Sequence, residues 1–272
     1  MKLKNIYTEK ILVEFLKNEI FRTGIKKAVI GLSGGIDSAV SAYLTAKAIG
    51  RNNLTCLLMP YKTSTKDSIS DAMKVVKNLK VEYKLKEITK AVDSVSKIID
   101  DKKISKIRLG NIMARIRMIL LYDESAKNNA LVVGTGNKTE ILLGYSTLFG
   151  DSACAINPIG DLYKTQVFDL ARHLGIPKSI IEKKPSADLW EGQTDEEEFG
   201  FTYEKADEYL FNKVDERKSD SELKKLGFDE KFMKRINSMV IRNQFKRLPP
   251  VIAKISNRTI NVDFRYNRDW NT

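Results

Sequence analysis

Short apolar runs alternate with helix-like segments through the first half of the chain, and this alternation constrains the fold more than any other feature. The pattern predicts strands over residues 26–32, 54–59, 81–87 and 130–134 and helices over 37–49, 65–79 and 105–127. Parallel strands need helix-length crossovers between them, so strands and helices that alternate in this way form a parallel sheet with helices on its faces. We therefore predict an α/β fold with a doubly wound, mainly parallel sheet flanked by helices.

The remaining segments predict helices at both ends of the chain. Apolar residues at helical spacing indicate an opening helix over 2–22, and helices are also predicted over 203–213 and 220–244, which makes the C-terminal part helical. Residues 183–200 are acidic and punctuated by Pro and Gly, which is typical of a mobile loop or lid. No internal repeat divides the sequence, so we expect one domain over residues 1–272.

Composition excludes several classes of protein. No apolar stretch approaches the roughly 20 residues that a membrane span needs, and glutamates interrupt the N-terminal segment, so we expect no membrane association and a cytoplasmic location. Cys56 and Cys154 form no CxxC pair and are expected to be buried, reduced thiols. His173 is the single histidine and lies beside a predicted helix end, so neither a Ser-His-Asp triad nor a histidine metal site can be assembled.

The chain is strongly basic, with 47 Lys and Arg against 35 Asp and Glu, a net charge of +12. This charge favours a polyanionic partner. The basic residues are scattered and show no clear interleaving with aromatic residues, which a nucleic-acid groove would require. ATP or another anionic nucleotide suits the charge equally well, and we expect no nucleic-acid partner.

The stretch GLSGGIDS, residues 31–38, lies between the first predicted strand and the following helix. Gly34 and Gly35 allow a sharp turn and a close approach to an anion, and the amides of the next helix point at it. No lysine follows, unlike in the loop that serves γ-phosphate transfer. The loop therefore suits a cradle for pyrophosphate as the leaving group. The predicted ATP-binding residues of this loop are Gly31, Leu32, Ser33, Gly34, Gly35, Ile36, Asp37 and Ser38.

Asp37 is also the expected ligand of Mg²⁺, because this ion prefers carboxylate and phosphate oxygens. The alternative is a tight strand-to-helix turn with an N-cap serine. At ordinary residue frequencies, the pattern S-G-G-x-D-S arises by chance on the order of once in a million positions, so an accident is improbable. At these residues the chain resembles the PP-loop ATP pyrophosphatase superfamily, a resemblance that leaves the substrate open.

A second set of segments narrows the resemblance to NAD synthetases. It comprises NIMARIRMILLY (111–122), GTGNKTE (134–140), GYSTLFGDSACAINPIGDLYKTQV (144–167), PSADLWEGQTDEEEFGFTYEKADEYL (185–210) and FKRLPP (245–250). The resemblance reaches from about residue 10 to about residue 255. It implies an adenine nucleotide alpha hydrolase-like fold and a homodimer that joins ammonia to deamido-NAD with ATP.

The resemblance also assigns residues to ATP and to the metal. Glu140 would complete the Mg²⁺ site with Asp37, and Thr135, Lys164 and Ser186 would contact ATP. Lys164 would in addition stabilise the negative charge that builds on the α-phosphate, which makes it a catalytic candidate. The alternatives are ordinary surface roles: an exposed helix carboxylate for Glu140, a turn residue for Thr135 and a surface lysine for Lys164.

Contacts with deamido-NAD are implied for Arg115, with Arg117 as its rival, and for Lys246. The sequence departs from some relatives at Leu148, Ala155 and Phe245, where those relatives carry lysine, aspartate and histidine. These three positions therefore carry no predicted role. Substrate contacts are less completely specified than ATP contacts.

The implied reaction is acyl transfer through an adenylate. The nicotinate carboxylate attacks the α-phosphate, pyrophosphate leaves, and ammonia displaces AMP; Asp151 is the expected base for ammonium, with turn capping as its alternative. The alternatives for the whole chain are a tRNA-modifying enzyme of the same superfamily and a noncatalytic nucleotide sensor. No glutaminase cysteine has a plausible setting, so free ammonia is the expected donor, and a separate glutaminase partner stays open.

Overall fold

The computed structural model describes residues 3–99, 104–186, 194–260 and residue 263. Four parallel strands form one sheet: β1 Lys27–Gly31, β2 Leu54–Leu58, β3 Glu82–Leu85 and β4 Ala130–Val133. The helices are α1 Asn5–Phe21, α2 Ile36–Ile49, α3 Lys66–Leu79, α4 Thr89–Ile99, α5 Lys106–Asn128, α6 Lys138–Leu143, α7 Lys164–His173, α8 Lys178–Ile181, α9 Asp195–Phe199, α10 Tyr203–Leu210, α11 Asp220–Lys225 and α12 Glu230–Arg242.

The sheet separates two apolar cores because successive strand residues point to opposite faces. On one face Ala28 and Ile30 of β1 pack with side chains of α1, α2, α3 and α7. On the other face Val29 joins side chains of α4 and α5. A third cluster, rich in aromatic residues, packs α6 against α10 and α12. Helices thus cover both faces of the sheet, and the predicted doubly wound α/β fold is confirmed.

The strand order β3-β2-β1-β4 has a direct consequence for ligand binding. The chain moves outward from β1 through β2 to β3, and β4 then pairs with the opposite side of β1. The connections therefore diverge between the carboxyl ends of β1 and β4. In open parallel sheets such a switch point forms the crevice where ligands bind. The glycine loop follows β1, and the segment that carries Thr135 and Glu140 follows β4.

Several predicted elements need correction. The predicted helix over 220–244 is two helices, α11 and α12, because Gly227 breaks it with a φ of +93°. The acidic stretch predicted as a loop contains the short helix α9, and residues 187–193 of that stretch lie outside the described residues. Helices α4, α6, α7 and α8 were not predicted. The four strands and the helices α2, α3 and α5 match their predicted positions to within two residues.

The single histidine lies at a helix end, and the two cysteines differ in burial. His173 is the last residue of α7, which agrees with its predicted position beside a helix end, and its Nε2 lies 2.9 Å from Glu9 Oε2 on α1. Cys56 is buried as predicted, but Cys154 is only half-buried, so the expectation for that thiol is wrong in degree. Within the described part of the chain, no helix is both long and apolar enough to span a bilayer.

An ion pair between half-buried Lys84 and buried Glu124 ties the edge strand β3 to α5 and supplies a test of stability. Lys84 Nζ lies 2.5 Å from Glu124 Oε1, and the Glu124 side chain is 5% exposed. The hydrogen bond from Lys84 holds the pKa of Glu124 below its ordinary value. A carboxyl with a lowered folded-state pKa adds stability above its unfolded pKa and loses that contribution as the pH falls through the folded value.

We therefore expect Glu124→Gln to lower the unfolding temperature at pH 7 by about 2–4 °C. The difference from the unsubstituted protein should shrink as the pH falls below about 4, because the wild-type carboxyl then becomes protonated too. Thermal unfolding followed by circular dichroism from pH 3 to pH 8 measures both effects. A difference that stays constant with pH would contradict the ion-pair explanation.

Candidate active site

One cavity of about 780 Å³ opens at the carboxyl ends of β1 and β4, a volume in the usual range for a small-molecule site. It brings together most of the predicted site residues. Those that line it are Gly31, Leu32, Ser33, Gly35, Ile36, Asp37, Ser38, Thr135, Glu140, Asp151, Lys164, Ser186 and Lys246. Of the predicted set, Gly34 and Arg115 do not line it.

The glycine loop is held by its own serines and by α3. Ser38 Oγ donates to the Gly35 carbonyl at 3.0 Å, and Ser33 Oγ accepts from the Gly35 amide at 3.2 Å. Gly34 adopts a φ of +82°, and a Cβ built on it would lie 2.1 Å from the Ser68 carbonyl oxygen at the start of α3. Only glycine fits here, because both the conformation and the contact exclude a side chain.

The start of α6 brings the second predicted metal ligand to the loop. Asn137 caps α6 by accepting from the Glu140 amide at 2.9 Å, while Glu140 Oε2 accepts from the Asn137 amide at 3.2 Å. Asn137 Nδ2 also donates to Asp37 Oδ1 at 2.9 Å. This reciprocal capping box orients Glu140, and the same asparagine couples it to the carboxylate that follows β1.

Lys164, the first residue of α7, lies between these two carboxylates. Its Nζ is 2.5 Å from Asp37 Oδ2 and 3.6 Å from Glu140 Oε1, and its side chain is only 3% exposed. Nζ also lies 5.2 Å from the ring centroid of Tyr203. Burial alone would lower the pKa of Lys164, but the charges of Asp37 and Glu140 outweigh it and raise the pKa. The ammonium therefore stays charged at neutral pH.

The same environment acts in the opposite sense on Glu140. Burial raises the pKa of this carboxyl, the negative charge of Asp37 raises it further, and Lys164 offsets only part of the rise. A second cation beside the two carboxyls would favour the charged form of Glu140. The arrangement of two carboxylates around one lysine thus favours the arrival of a further positive charge.

A buried carboxylate on α10 links α6 to α7. Asp207 on α10 accepts from Thr139 Oγ1 at 2.5 Å and from the Thr165 amide at 2.8 Å. Thr139 Oγ1 in turn accepts from the Lys164 amide at 3.0 Å. Thr139 precedes Glu140 and Thr165 follows Lys164, so this network fixes the distance between the two charged residues.

The cavity lining also includes Asp151 and Lys246. Asp151 Oδ1 accepts from the Thr147 amide at 2.7 Å, and Lys246 Nζ donates to the carbonyls of Gly144 and Ser146 at 2.6 and 2.7 Å. Asp151 is an exposed residue of the cavity lining. Desolvation by the surrounding protein atoms raises the pKa of its carboxyl, and the hydrogen bond from Thr147 and the charge of Lys246 counteract the rise only in part.

The predicted dinucleotide contacts fall into two groups. Lys246 lines the cavity, whereas Arg115 is exposed and its guanidinium donates to the Leu148 carbonyl at 3.3 Å. The rival Arg117 lines the cavity and donates to the Met59 carbonyl at 3.1 Å. Phe245, one of the positions that depart from some relatives, is 57% exposed.

Sequence reasoning missed other residues of the site. Asn137 could have been found, because N-K-T-E is a capping-box pattern before an apolar run. Asp195 is buried at the cavity wall and accepts from the hydroxyl groups of Tyr203 and Tyr145 at 2.8 and 3.1 Å. Nothing in the acidic run TDEEEF singles out this one carboxylate, because its partners come from other segments.

The carboxylates present fit magnesium only together with a phosphorylated ligand. Among the described residues, no group of three or more His, Cys, Asp or Glu side chains could hold a metal ion. Asp37 and Glu140 supply oxygen ligands from two neighbouring strand ends, and a hard cation can complete its shell with water and phosphate oxygens. The glycine loop lies beside them and offers amides for those phosphates.

The fold and the site together define a nucleotide-binding α/β protein. Its phosphate loop lacks lysine, and two carboxylates, Asp37 and Glu140, lie beside the buried ammonium of Lys164. Residues 8–250 match the family model described as NAD synthase, and the chain belongs to this family. The NH(3)-dependent NAD(+) synthetase of Chlorobaculum tepidum is 51% identical over 275 residues, which cover 99% of each chain. The predicted resemblance is thereby confirmed.

Solved structures of related synthetases have the same fold as this chain. The NH3-dependent NAD synthetase of Campylobacter jejuni superposes with a TM-score of 0.79 at 36% identity and covers 93% of this chain and 100% of its own. The NMN synthetase of Francisella tularensis superposes with a TM-score of 0.83 at 34% identity and covers 93% of this chain and 99% of its own.

Proposed function

We propose that the cavity amidates deamido-NAD with free ammonia, consuming ATP and releasing NAD, AMP and pyrophosphate. This is the reaction of NH3-dependent NAD+ synthetases, the name that relatives about half identical to this chain carry. One structural observation supports it above the others: Lys164 and two carboxylates converge beside a lysine-free glycine loop. That arrangement suits attack at the α-phosphate with pyrophosphate as the leaving group.

Mg²⁺ is the proposed metal, held by Asp37 and Glu140 together with phosphate oxygens of ATP. When bound, it supplies neutralisation of the charge on the phosphates. The amides of Gly34, Gly35 and the first turn of α2 would hold the outer phosphates. Lys164 would place its ammonium on the α-phosphate as negative charge builds there.

The remaining predicted residues serve binding in this proposal. Thr135 and Ser186 would contact ATP, and Lys246 would contact deamido-NAD. Arg115 stays a prediction for the dinucleotide, and Arg117, which lines the cavity, is the better placed of the two arginines. No covalent nucleophile is required, because the substrate carboxylate itself attacks ATP and the adenylate carries the acyl group to ammonia.

The proposed enzyme is a homodimer of single-domain chains, and α5 is the proposed contact face. Three large apolar residues of α5, Ile107, Ile119 and Tyr122, are 69%, 54% and 40% exposed. Burial of such residues in a symmetric interface would be favourable. Light scattering at micromolar concentration tests this proposal, and a fully active monomer would contradict it.

Asp151 is the proposed base that takes a proton from ammonium. Its raised pKa brings it closer to neutral pH, where a general base is effective. We expect Asp151→Asn to slow amide formation by about 100-fold or more while adenylate formation stays within a few-fold of normal. Rapid-quench measurement of AMP-linked intermediate and NAD separates the two steps.

The matched control is Asp161→Asn, because Asp161 is an aspartate with a 94% exposed side chain that is paired with Lys138 outside the cavity. It should leave both steps unchanged. Equal slowing of adenylate and amide formation in Asp151→Asn would assign the residue to turn capping through Thr147 instead.

One assay tests the proposed function. Purified protein with ATP, Mg²⁺ and ammonium should form NAD and pyrophosphate when deamido-NAD is present, and glutamine should replace ammonium poorly. Nicotinate mononucleotide is the comparison substrate, because one structural neighbour is an NMN synthetase. Pyrophosphate release with tRNA alone would favour a tRNA-modifying enzyme, and ADP with orthophosphate as products would contradict the proposal.

A further inference from the structure

We propose that Lys183 is a second phosphate-binding lysine of the cavity, one that binds the outer phosphates of ATP and the leaving pyrophosphate. The inference rests on the proposed function and adds a residue to it. Lys183 lies on the segment between α8 and Ser186 and lines the same cavity as the glycine loop. Its side chain is 31% exposed, so the ammonium is accessible from the cavity.

A buried carboxylate fixes this segment against α3. Asp71 has a side chain only 6% exposed, and its Oδ1 accepts from Lys74 Nζ at 2.8 Å and from Ser179 Oγ at 2.9 Å. Lys183 Nζ lies 3.9 Å from Asp71 Oδ2. The backbone around Lys183 is therefore held in place by contacts that do not involve the cavity.

Ser68 connects Lys183 to the glycine loop. Lys183 Nζ donates to Ser68 Oγ at 2.9 Å, while the carbonyl of the same serine packs against Gly34 at the position a Cβ would take. The ammonium thus lies beside the loop that would hold the outer phosphates. A ligand oxygen in this loop could replace the neutral Ser68 hydroxyl as acceptor and form a stronger, charge-assisted bond.

The distribution of charge explains why a second lysine is needed. Lys164 is engaged by Asp37 and Glu140, at the side of the cavity where the α-phosphate would react. The glycine loop itself carries no cation, although the leaving pyrophosphate is strongly anionic. Lys183 shares Asp71 with the closer Lys74, so its charge is the less neutralised of the two and is available to the ligand.

Inhibition by inorganic pyrophosphate tests the assignment in the complete enzyme. Lys183→Met should raise the inhibition constant for pyrophosphate and the KM for ATP by roughly tenfold or more, because a charge-assisted hydrogen bond is lost. Lys183→Gln, which keeps a donor for Ser68 without the charge, should behave in the same way. The KM for deamido-NAD and inhibition by AMP should change less than threefold in both variants.

Lys74→Met is the matched control, because it removes the other lysine of Asp71 and lies outside the cavity lining. Its loss leaves Asp71 to Lys183 alone, so pyrophosphate inhibition should weaken far less than it does in Lys183→Met. Equal effects in Lys74→Met and Lys183→Met, normal inhibition in Lys183→Gln, or no effect in any variant would each overturn the assignment. If the unsubstituted enzyme released no pyrophosphate with deamido-NAD, the proposed function itself would fail, which is a distinct result.

Discussion

Lys164→Met is expected to reduce turnover by about 100-fold to 1,000-fold, the range seen when one group that stabilises a developing charge is removed. The loss should fall on adenylate formation, because the ammonium is placed to act at the α-phosphate and has no proposed contact with ammonia. Rapid-quench measurement of AMP-linked intermediate should therefore show the full effect, while ammonia attack on preformed adenylate stays near normal.

The substitution should also destabilise the ligand-free protein. Lys164 is 3% exposed and compensates both Asp37 and Glu140, and removal of one partner from a buried ion pair typically costs about 3–5 kcal/mol. Binding of Mg²⁺ with ATP should restore part of this loss, because a cation then returns to the two carboxylates. Thermal unfolding with and without Mg²⁺ and ATP measures both quantities.

Lys138→Met provides the control for this experiment. Lys138 is likewise the first residue of its helix, is paired with two carboxylates, Asp161 and Asp215, and lies over a tyrosine ring, with 4.8 Å between Nζ and the centroid. It lies outside the lining of the main cavity. The Lys138→Met variant should be less stable than the unsubstituted protein but should form the adenylate at a normal rate. Equal losses of turnover in both variants would contradict the proposed role of Lys164.

The local features of the fold were predictable because they depend on neighbouring residues. The apolar runs that form β1, β2 and β4 are bounded by turn residues, and the helices between them have regular apolar spacing. The glycine loop could be recognised because the residues that form the phosphate-binding turn are adjacent in the sequence. The fold class and the phosphate loop could therefore be inferred from the sequence alone.

The order of the strands could not be predicted, because it depends on which distant segments pair. β4 could have extended the sheet beyond β3 instead of pairing with β1, and no local pattern distinguishes the two arrangements. Yet this choice brings Glu140 to Asp37 across about a hundred residues of sequence. The resemblance to NAD synthetases assigned both residues to one metal site, and the pairing of β1 with β4 supplies the physical reason for their proximity.

The burial of individual side chains was the other property that could not be predicted from the sequence. Lys164 lies in a segment that is equally typical of a surface helix. Its helix begins inside the protein because Thr139 accepts from the Lys164 amide and Asp207 accepts from the Thr165 amide. Lys183 illustrates the same limit. Two adjacent lysines, Lys183 and Lys184, are equivalent in the sequence, and the described contacts with Ser68 and Asp71 distinguish Lys183.

Gly34→Ala is expected to weaken ATP binding by about 10-fold to 100-fold, because a lost hydrogen bond to a charged group costs about 1.5–3 kcal/mol. The added Cβ would lie 2.1 Å from the Ser68 carbonyl oxygen, a backbone atom at the start of α3 that cannot rotate away. The φ of +82° adds about 1–2 kcal/mol of strain for any L-residue. The loop must therefore move away from α3, and its amides no longer point at the same phosphate position. Calorimetric titration with ATP and Mg²⁺ measures the effect.

Gly175→Ala separates conformational strain from the clash with α3. Gly175 has a φ of +71°, and a Cβ on it would meet no atom within 4 Å. This variant should lose about 1–2 kcal/mol of stability and bind ATP normally. If Gly34→Ala also bound ATP normally, the loop could not be the phosphate cradle, because its contact with Ser68 would then be unimportant to the ligand. Weak binding in Gly34→Ala alone, with a thermal stability similar to that of Gly175→Ala, would locate the phosphates at this turn.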